Sequence, residues 1–169
     1  MTMKTSKTSL IVLLSALGSA GCMDFEGLDG ERPMKTHVQD WRSEVVYQLM
    51  TDRFANGDYA NDYRVVENAP ARYHGGDWRG VEEKLDYLDN LGVTALCISP
   101  IVKNLETDAG VDGYHGYWTQ DFTRLNPHFG DLLSLRRMID KAHDRGIKVI
   151  LDIVVNHVGQ VFYYDINLN

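Results

Sequence analysis

A nearly unbroken apolar run that ends in polar side chains constrains the fold of this chain more than any other feature. Residues 147–155 are rich in β-branched side chains and are interrupted only by Lys148 and Asp152. This composition is typical of a strand buried on both faces of a parallel sheet. Because an unpaired buried carboxylate is costly, we expect Asp152 to have a partner. Asn156 and His157 follow at the C-terminal end, where parallel α/β proteins place their functional groups.

Two earlier segments, residues 45–50 and 93–99, also have the apolar composition of strands. After the first, residues 51–78 predict a long polar loop, and residues 81–91 predict a helix. The apolar side chains of this helix fall on one face: Val81, Leu85, Leu88 and Leu91. Gly92 is placed to cap its C-terminus.

The second segment is followed by the same succession of loop and helix. Residues 103–126 predict another polar loop, and Asp131 is placed to cap the next helix. The predicted inner face of this helix consists of apolar side chains at helical spacing: Leu135, Met138, Ile139 and Ala142. Gly146 ends the helix and begins the apolar run of residues 147–155.

The repeated order of strand, loop and helix predicts an α/β fold with a parallel sheet and right-handed crossovers. Both long loops follow a strand and therefore lie on one rim, whereas the opposite connections at Gly92 and Gly146 are short. This layout is that of a (β/α)8 barrel, which needs roughly 250 residues. Only about three strands are present, so we expect a truncated, N-terminal portion of a barrel within a longer protein. An unpaired apolar strand edge would then remain.

The first residues predict export rather than fold. Residues 1–21 begin with Lys4 and Lys7, continue with a short apolar stretch and end in small residues, as an export signal does. The cysteine that follows, Cys22, is the expected site of lipid attachment and would be the only membrane anchor. The alternative is an ordinary cleaved signal, with Cys22 merely nearby. The composition of residues 22–40 predicts a flexible tether. We therefore expect a cell-surface or periplasmic lipoprotein, or otherwise a secreted protein.

The charge balance excludes several partners. The chain has a formal net charge of −7, and without residues 1–21 it keeps 24 acidic and 15 basic side chains, a net of −9. Nucleic acid and phospholipid head groups attract basic surfaces, so neither is expected to bind. Cys97, the only other cysteine, is expected to be a buried thiol in a strand. Two such cysteines build no disulfide framework.

Three stretches stand out along the chain: VYQLMTDRFANGD at residues 46–58, YHGYWTQDF at residues 114–122 and DIVVNH at residues 152–157. Together they resemble the α-amylase family of (β/α)8 glycoside hydrolases and transglycosidases that act on α-glucans. The pattern is similar to bacterial α-amylases, maltogenic amylases and cyclodextrin glucanotransferases. The resemblance implies that residues 41–169 are part of the catalytic barrel domain, ending where the subdomain after the third strand begins.

The first loop has the composition of a calcium site. Asn56, Asp58, Asn61 and Asp62 lie within seven residues, and carboxylates, amides and carbonyls are the hard oxygen ligands that calcium takes. Composition alone favours a polar turn cluster without an ion. The resemblance implies calcium, with these ligands: Asn56, Asp58, Asn61, Asp62, the Gly75 carbonyl and Asp77. It also implies that Asn156 binds a second ion.

The other two stretches resemble sugar contacts. Aromatic faces and hydrogen-bonding side chains suit the C–H faces and hydroxyl edges of sugars. The resemblance implies that Tyr117 stacks on the glucose beside the scissile bond and that His157 hydrogen-bonds the same sugar, with His115 a further substrate contact. It gives Asp152 a structural role beside an arginine further down the chain. Without the resemblance, His157 could equally be a strand-end histidine, and rim packing explains Trp118 better.

The catalytic groups are expected elsewhere. Retaining glycosidases need two carboxyl groups about 5–5.5 Å apart, and the resemblance implies that these lie on later strands. We therefore expect a full-length parent that acts on α-1,4-glucosidic bonds of starch, glycogen and maltooligosaccharides, and a 169-residue chain without catalytic residues or activity. Two alternatives stay open: a non-catalytic carbohydrate-binding or structural member of the same fold, and a calcium-stabilised surface lipoprotein without a sugar role.

Overall fold

A computed structural model describes residues 38–162, and three parallel strands form its central sheet. The strands are β1 (Val46–Leu49), β2 (Ala95–Ile98) and β7 (Lys148–Leu151), in the order β1-β2-β7. Val46 pairs with Ala95, and Ala95 pairs with Lys148. The parallel α/β sheet predicted from the repeated units is confirmed. The charged residue within the apolar run, Lys148, forms an ion pair with Glu44 at 2.9 Å.

Three helices cover one face of the sheet: α2 (Trp78–Glu83), α3 (Leu85–Asn90) and α4 (Leu132–Asp144). Their fully or nearly fully buried side chains pack on Leu96 and Ile98 of β2: Trp78, Val81, Leu85, Leu88, Leu135, Met138 and Ala142. This is the predicted inner face, with two differences. Ile139 is half-buried at the margin of the core. Leu91 is exposed, because it lies past the last turn of α3 as its C-cap.

The single helix predicted for residues 81–91 is wrong. Two short helices, α2 and α3, occupy this region. They are separate because the Lys84 N–H donates to the Val81 carbonyl three residues back, which interrupts the i to i−4 hydrogen bonds of an α-helix. The predicted cap at Gly92 is correct: its φ is +85°, and the Gly92 and Val93 N–H groups donate to the last carbonyls of α3. Asp131 caps α4 as predicted, in a capping box with Ser134.

The third strand is shorter and more exposed than the sequence predicts. It ends at Leu151, and Leu151, Ile153 and Val155 are 41%, 66% and 85% exposed. Within residues 38–162, β7 pairs only with β2 and has no neighbour on its other side. The prediction of a strand through Val155 buried on both faces is therefore wrong for this structure, and its physical reason is the missing neighbour.

The two long loops are not structureless. A short helix, α1 (Thr51–Phe54), follows β1. The loop after β2 carries two antiparallel pairs, β3 (Val102–Asn104) with β6 (Thr119–Leu125) and β4 (Thr107–Asp108) with β5 (Val111–Asp112). Ala109 and Gly110, both with positive φ, make the two-residue turn between β4 and β5.

Several sequence predictions lie outside the described residues. These are the export signal, Cys22 and nearly all of the tether, of which only Val38 to Asp40 are described; a 3-10 helix at Trp41–Ser43 follows. In residues 38–162, no helix has the length and apolar character needed to cross a bilayer. Cys97 is a free thiol in β2, but it is half-buried rather than fully buried, because the face of the sheet opposite the helices is open.

Candidate active-site rim

The loops that follow the parallel strands meet at the C-terminal end of the sheet. Thr51 follows β1 and Ser99 follows β2, and the two are joined because the Thr51 N–H donates to Ser99 Oγ at 3.0 Å. Asp152 follows β7 directly, and its N–H donates to the Ile98 carbonyl at 3.2 Å. The rim predicted from the strand–loop–helix order is therefore present.

Tyr117 is the centre of this rim, because its N–H, its carbonyl and its hydroxyl each have a side-chain partner. The hydroxyl donates to Asp152 Oδ2 at 2.7 Å. The N–H donates to His115 Nδ1 at 3.0 Å, and His157 Nε2 lies 3.1 Å from the carbonyl oxygen. Four of the residues singled out by the sequence therefore form one connected group.

These contacts fix the tautomers of both histidines. Since His115 Nδ1 accepts a hydrogen bond, a neutral His115 carries its hydrogen on Nε2. Burial, and then the charge of Arg53, lower the pKa of His115, which favours this neutral form. A carbonyl can only accept, so His157 donates from Nε2, and the Nδ1 of its neutral ring is an acceptor. The exposed His157 side chain can therefore offer that acceptor to solvent or to a ligand.

The partner of Asp152 is a tyrosine within the described chain. Sequence reasoning required a partner for this carboxylate, and the resemblance implied an arginine further along. The structure supplies the hydroxyl of Tyr117, and this hydrogen bond is the first cause that raises the pKa of Tyr117 to about 12, followed by burial. Because the two residues are 35 positions apart, no local pattern could have shown the pair.

The aromatic residues around Tyr117 form a packed edge. The rings of His115 and Tyr117 are nearly parallel, 12° apart with centroids separated by 5.9 Å, and Trp118 meets His115 edge-on at 4.5 Å. Arg53 lies 3.7 Å above the Tyr114 ring. The Trp118 N–H donates to Asn104 Oδ1 at 2.5 Å. These contacts agree with the reading of Trp118 as rim packing.

A turn at Gly116 allows this edge to approach β2. The residue has a φ of +87°, and a Cβ added there would come within 2.8 Å of the Pro100 carbonyl oxygen. Only glycine tolerates both the left-handed backbone and this approach. Gly116 therefore brings the residues on either side of it, His115 and Tyr117, over the end of the sheet.

The first loop is organised by two buried carboxylates, of which sequence reasoning missed one. Asp52 accepts from the His74 N–H, at 3.0 Å to each oxygen, and from the Gly75 N–H at 3.2 Å. Burial raises the pKa of this carboxyl, with the two N–H donors acting in the opposite direction. Its position just past an apolar strand segment, like that of Asp152, was the available signal.

Asp77 is the second buried carboxylate, and its two oxygens have different partners. Oδ1 caps α2 by accepting from the Gly80 N–H at 2.6 Å. Oδ2 accepts from the N–H groups of Gly57 and Asp58 at 3.0 and 2.7 Å. One side chain therefore joins the start of α2 to the opposite side of the loop.

The expected calcium ligands fall into three groups. Asn56 Nδ2 donates to Asp62 Oδ1 at 2.8 Å, and a Cβ added at Gly75 would touch both side chains. Asp77 contacts the backbone of Asp58. The Asn61 amide lies 3.1 Å from the carbonyl oxygens of Asp58 and His128. Asn156 is exposed beyond β7. Among the described residues no three or more His, Cys, Asp or Glu side chains cluster as a metal site, so amides and carbonyls would have to supply most ligands.

The C-terminal rim of a parallel βα sheet is where (β/α)8 enzymes place their active sites, and aromatic rings with a few polar groups are typical of ligand sites. Residues 48–168 match the family model of the α-amylase catalytic domain. The chain belongs to the α-amylase family of glycoside hydrolases, and its three parallel strands are part of the family's barrel.

Similar proteins agree with this assignment. The periplasmic α-amylase of Escherichia coli is 44% identical over 133 residues, which cover 71% of this chain and 20% of that protein. The solved structure of an Anoxybacillus α-amylase is 46% identical, with a TM-score of 0.66 over 72% of this chain and 26% of that one. An α-amylase structure from Geobacillus thermoleovorans, complexed with acarbose, is 45% identical, with a TM-score of 0.63 over 73% and 25%. The chain spans a quarter or less of the length of such curated relatives.

Proposed function

We propose that this chain supplies the sugar-facing rim of a retaining, α-1,4-glucan-active glycoside hydrolase. The observation that carries the proposal is the group around Tyr117, in which an aromatic ring, two imidazoles and a carboxylate are joined by hydrogen bonds of 2.7 to 3.1 Å. Such a group offers a glucose unit one apolar face and several polar contacts.

Each member of this group has a defined role in binding. The ring of Tyr117 packs against the C–H face of a glucose unit. His157 presents its Nδ1 as an acceptor for a sugar hydroxyl, and His115 keeps an Nε2–H donor while its Nδ1 holds the Tyr117 backbone. Starch, glycogen and maltooligosaccharides are the proposed ligands. The relative solved with acarbose supports a ligand of this class.

The 169-residue chain is proposed to bind such glucans without cleaving them. Retaining hydrolysis needs a nucleophile and an acid about 5–5.5 Å apart, and Asp152 is committed to the Tyr117 hydroxyl. The test is calorimetric titration of the purified chain with maltoheptaose, beside a reducing-sugar assay on soluble starch. We expect binding that Tyr117→Ala abolishes, and no release of reducing sugar. Release of sugar by the chain would contradict the proposed absence of catalysis.

We also propose that the first loop binds calcium. Asn56 Oδ1 is buried without a hydrogen-bond partner, which is costly unless a further group satisfies it. The Asn61 amide satisfies the carbonyls of Asp58 and His128 if its nitrogen faces them; if its oxygen faces them, three oxygens converge and require a cation. The ion would be held by Asn56, Asp58, Asn61, Asp62, the carbonyl of Gly75 and the free lone pairs of Asp77. It would join the two ends of the loop.

Thermal unfolding with and without calcium tests this site. We expect millimolar calcium to raise the Tm of the chain, and Asp62→Ala to remove the effect. Asp86→Ala, an exposed carboxylate on α3 that pairs with Arg145, is the matched control and should keep it. An unchanged Tm would leave the polar turn cluster as the correct reading. A calcium effect without any maltoheptaose binding would favour the calcium-stabilised lipoprotein without a sugar role.

The proposed location of the protein is the cell surface or the periplasm, through a lipid on Cys22. Mass spectrometry of the membrane-extracted protein tests this proposal by the mass of its N-terminal peptide. A diacylglyceryl-modified Cys22 supports the anchor, and a free N-terminus at another residue supports an ordinary cleaved signal. The proposed second ion at Asn156 is tested by the calcium stoichiometry of Asn156→Ala, which should be lower by one.

A further inference from the structure

Among the described residues, the side chain of Tyr117 makes one hydrogen bond, and its ring stacks on His115. The hydrogen bonds to His115 and His157 hold the backbone N–H and carbonyl, and a residue held in this way can still rotate its side chain. His115 lies against one face of the ring, and Asp152 holds the hydroxyl at the far end of the ring at 2.7 Å. The bond to Asp152 therefore sets where the end of the ring lies.

Asp152 is well suited to hold this hydroxyl. A hydroxyl that donates to a carboxylate makes a short, charge-assisted hydrogen bond, and 2.7 Å is the expected length. The Asp152 backbone is itself fixed, because its N–H donates to the Ile98 carbonyl and continues the pairing of β7 with β2. In residues 38–162, no lysine or arginine forms an ion pair with this carboxylate.

We propose that Asp152 is a positioning residue that acts through Tyr117 and holds its ring in place as a preformed platform for a glucose unit. The proposal rests on the proposed function for the part that concerns sugar. The positioning itself needs only the carboxylate, the hydroxyl and the two strands that carry them, all of which the described residues contain.

The pKa of Tyr117 distinguishes a positioning role of Asp152 from a merely structural one, because a structural aspartate would not affect it. The hydrogen bond to Asp152 raises the pKa of Tyr117 more than burial does, and the charges of Asp152 and Cys97 contribute after these. His115 and His157 contact the backbone of Tyr117 rather than its hydroxyl. Removing the Asp152 carboxylate should therefore lower the pKa of Tyr117 toward the ordinary tyrosine value of about 10.

The test uses the 169-residue chain with 13C-labelled tyrosine, whose Cζ signal reports the pKa of Tyr117 and is assigned with Tyr117→Phe. Acarbose affinity is measured by calorimetry on the same samples. We expect Asp152→Ala to lower the pKa of Tyr117 and the affinity by about tenfold, the equivalent of one hydrogen bond of about 1.4 kcal/mol. Tyr117→Phe should lose as much affinity, and the double variant no more than either single one.

Asp152→Asn separates charge from position. Its amide oxygen still accepts the hydroxyl, so we expect most of the affinity to return. The pKa of Tyr117 should fall less than in Asp152→Ala, because the negative charge is lost but a hydrogen-bond acceptor remains. The control Asp121→Asn removes a carboxylate of β6 whose hydrogen bonds and ion pair are with Thr123 and Arg124. It should change neither the affinity for acarbose nor the pKa of Tyr117. An unchanged pKa of Tyr117 in Asp152→Ala would overturn the proposal, and so would additive losses in the double variant.

The two proposals fail in different ways. A wild-type chain that does not bind acarbose contradicts the proposed function. In that case the pKa of Tyr117 and the flipping rate of its ring decide the positioning alone. A larger fall in the pKa and faster flipping in Asp152→Ala than in Asp152→Asn support it, and wild-type values of both quantities in the two variants contradict it. If Asp152→Ala does not fold, Asp152→Asn carries the pKa comparison.

Discussion

The loop after β1 and the segment after β7 reverse the usual relation between polarity and burial. Residues 51–77 are crowded with Asn, Asp and Gly, yet Asp52 and Asp77 are almost completely buried within them. Residues 152–162 begin with an apolar stretch, yet Ile153 and Val155 are 66% and 85% exposed. The first loop contains donors and acceptors for its own carboxylates, whereas the second segment has apolar side chains that no described neighbour covers.

The difference shows that burial depends on available partners more than on composition. A buried carboxylate is tolerated where backbone N–H groups converge on it, as five do on Asp52 and Asp77. Among the described strands, β2 has a neighbour on both edges and is mostly buried, whereas β7 has a neighbour on one edge and is more exposed. The next two predictions test this comparison, the larger expected effect first, and a third, smaller one concerns the rim.

Removing the carboxylate of Asp77 should have the largest effect. Asp77→Ala deprives the N–H groups of Gly57, Asp58 and Gly80 of their acceptor and removes the cap of α2. We expect the free energy of unfolding in urea to fall by about 3 kcal/mol. The control Asp86→Ala, at an exposed ion pair, should cost less than about 0.5 kcal/mol. Equal losses in both variants would mean that the first loop does not depend on its buried carboxylate.

The same chemical change at two isoleucines should give unequal losses. Ile98→Val, at a fully buried side chain of the middle strand, should lower the free energy of unfolding by about 1 kcal/mol. Ile153→Val, at a side chain that is 66% exposed, should lower it by less than about 0.5 kcal/mol. Urea titrations of the two variants measure the difference. A loss at Ile153 as large as that at Ile98 would restore the original prediction of a buried strand through Val155.

The smallest effect concerns pH and His115. Its pKa is lowered in the folded chain from an unfolded value near 6.5, first by burial. Between these two pKa values the unfolded state binds more protons than the folded state. The stability that depends on a neutral His115 is therefore present above about pH 6.5. It is lost as the pH falls from this value toward the lower pKa of the folded chain. His115→Asn keeps an acceptor for the Tyr117 N–H but does not titrate. The free energy of unfolding is measured between pH 5 and 7.5 in steps of about half a pH unit. It should depend less steeply on pH in this variant than in the wild type. An equal dependence would exclude His115 as a contributor.

The sequence predicted the parts of the fold that depend on local order. The succession of strands and helices, the caps at Gly92 and Asp131 and the common rim all follow from residues close together in the chain. The bond between Tyr117 and Asp152 spans 35 residues and joins a turn to a strand end, so no periodic pattern encodes it. The exposure of β7 was also out of reach, because it depends on whether another strand lies beside it.

The most direct test of the sugar-facing rim is a maltoheptaose titration followed by NMR on the chain with 13C-labelled tyrosine and histidine. We predict that the signals of Tyr117, His115 and His157 shift together with one dissociation constant, while the exposed Tyr87 of α3 does not move. Signals at the rim that stay fixed at saturating maltoheptaose, or that move no more than Tyr87, would contradict the account.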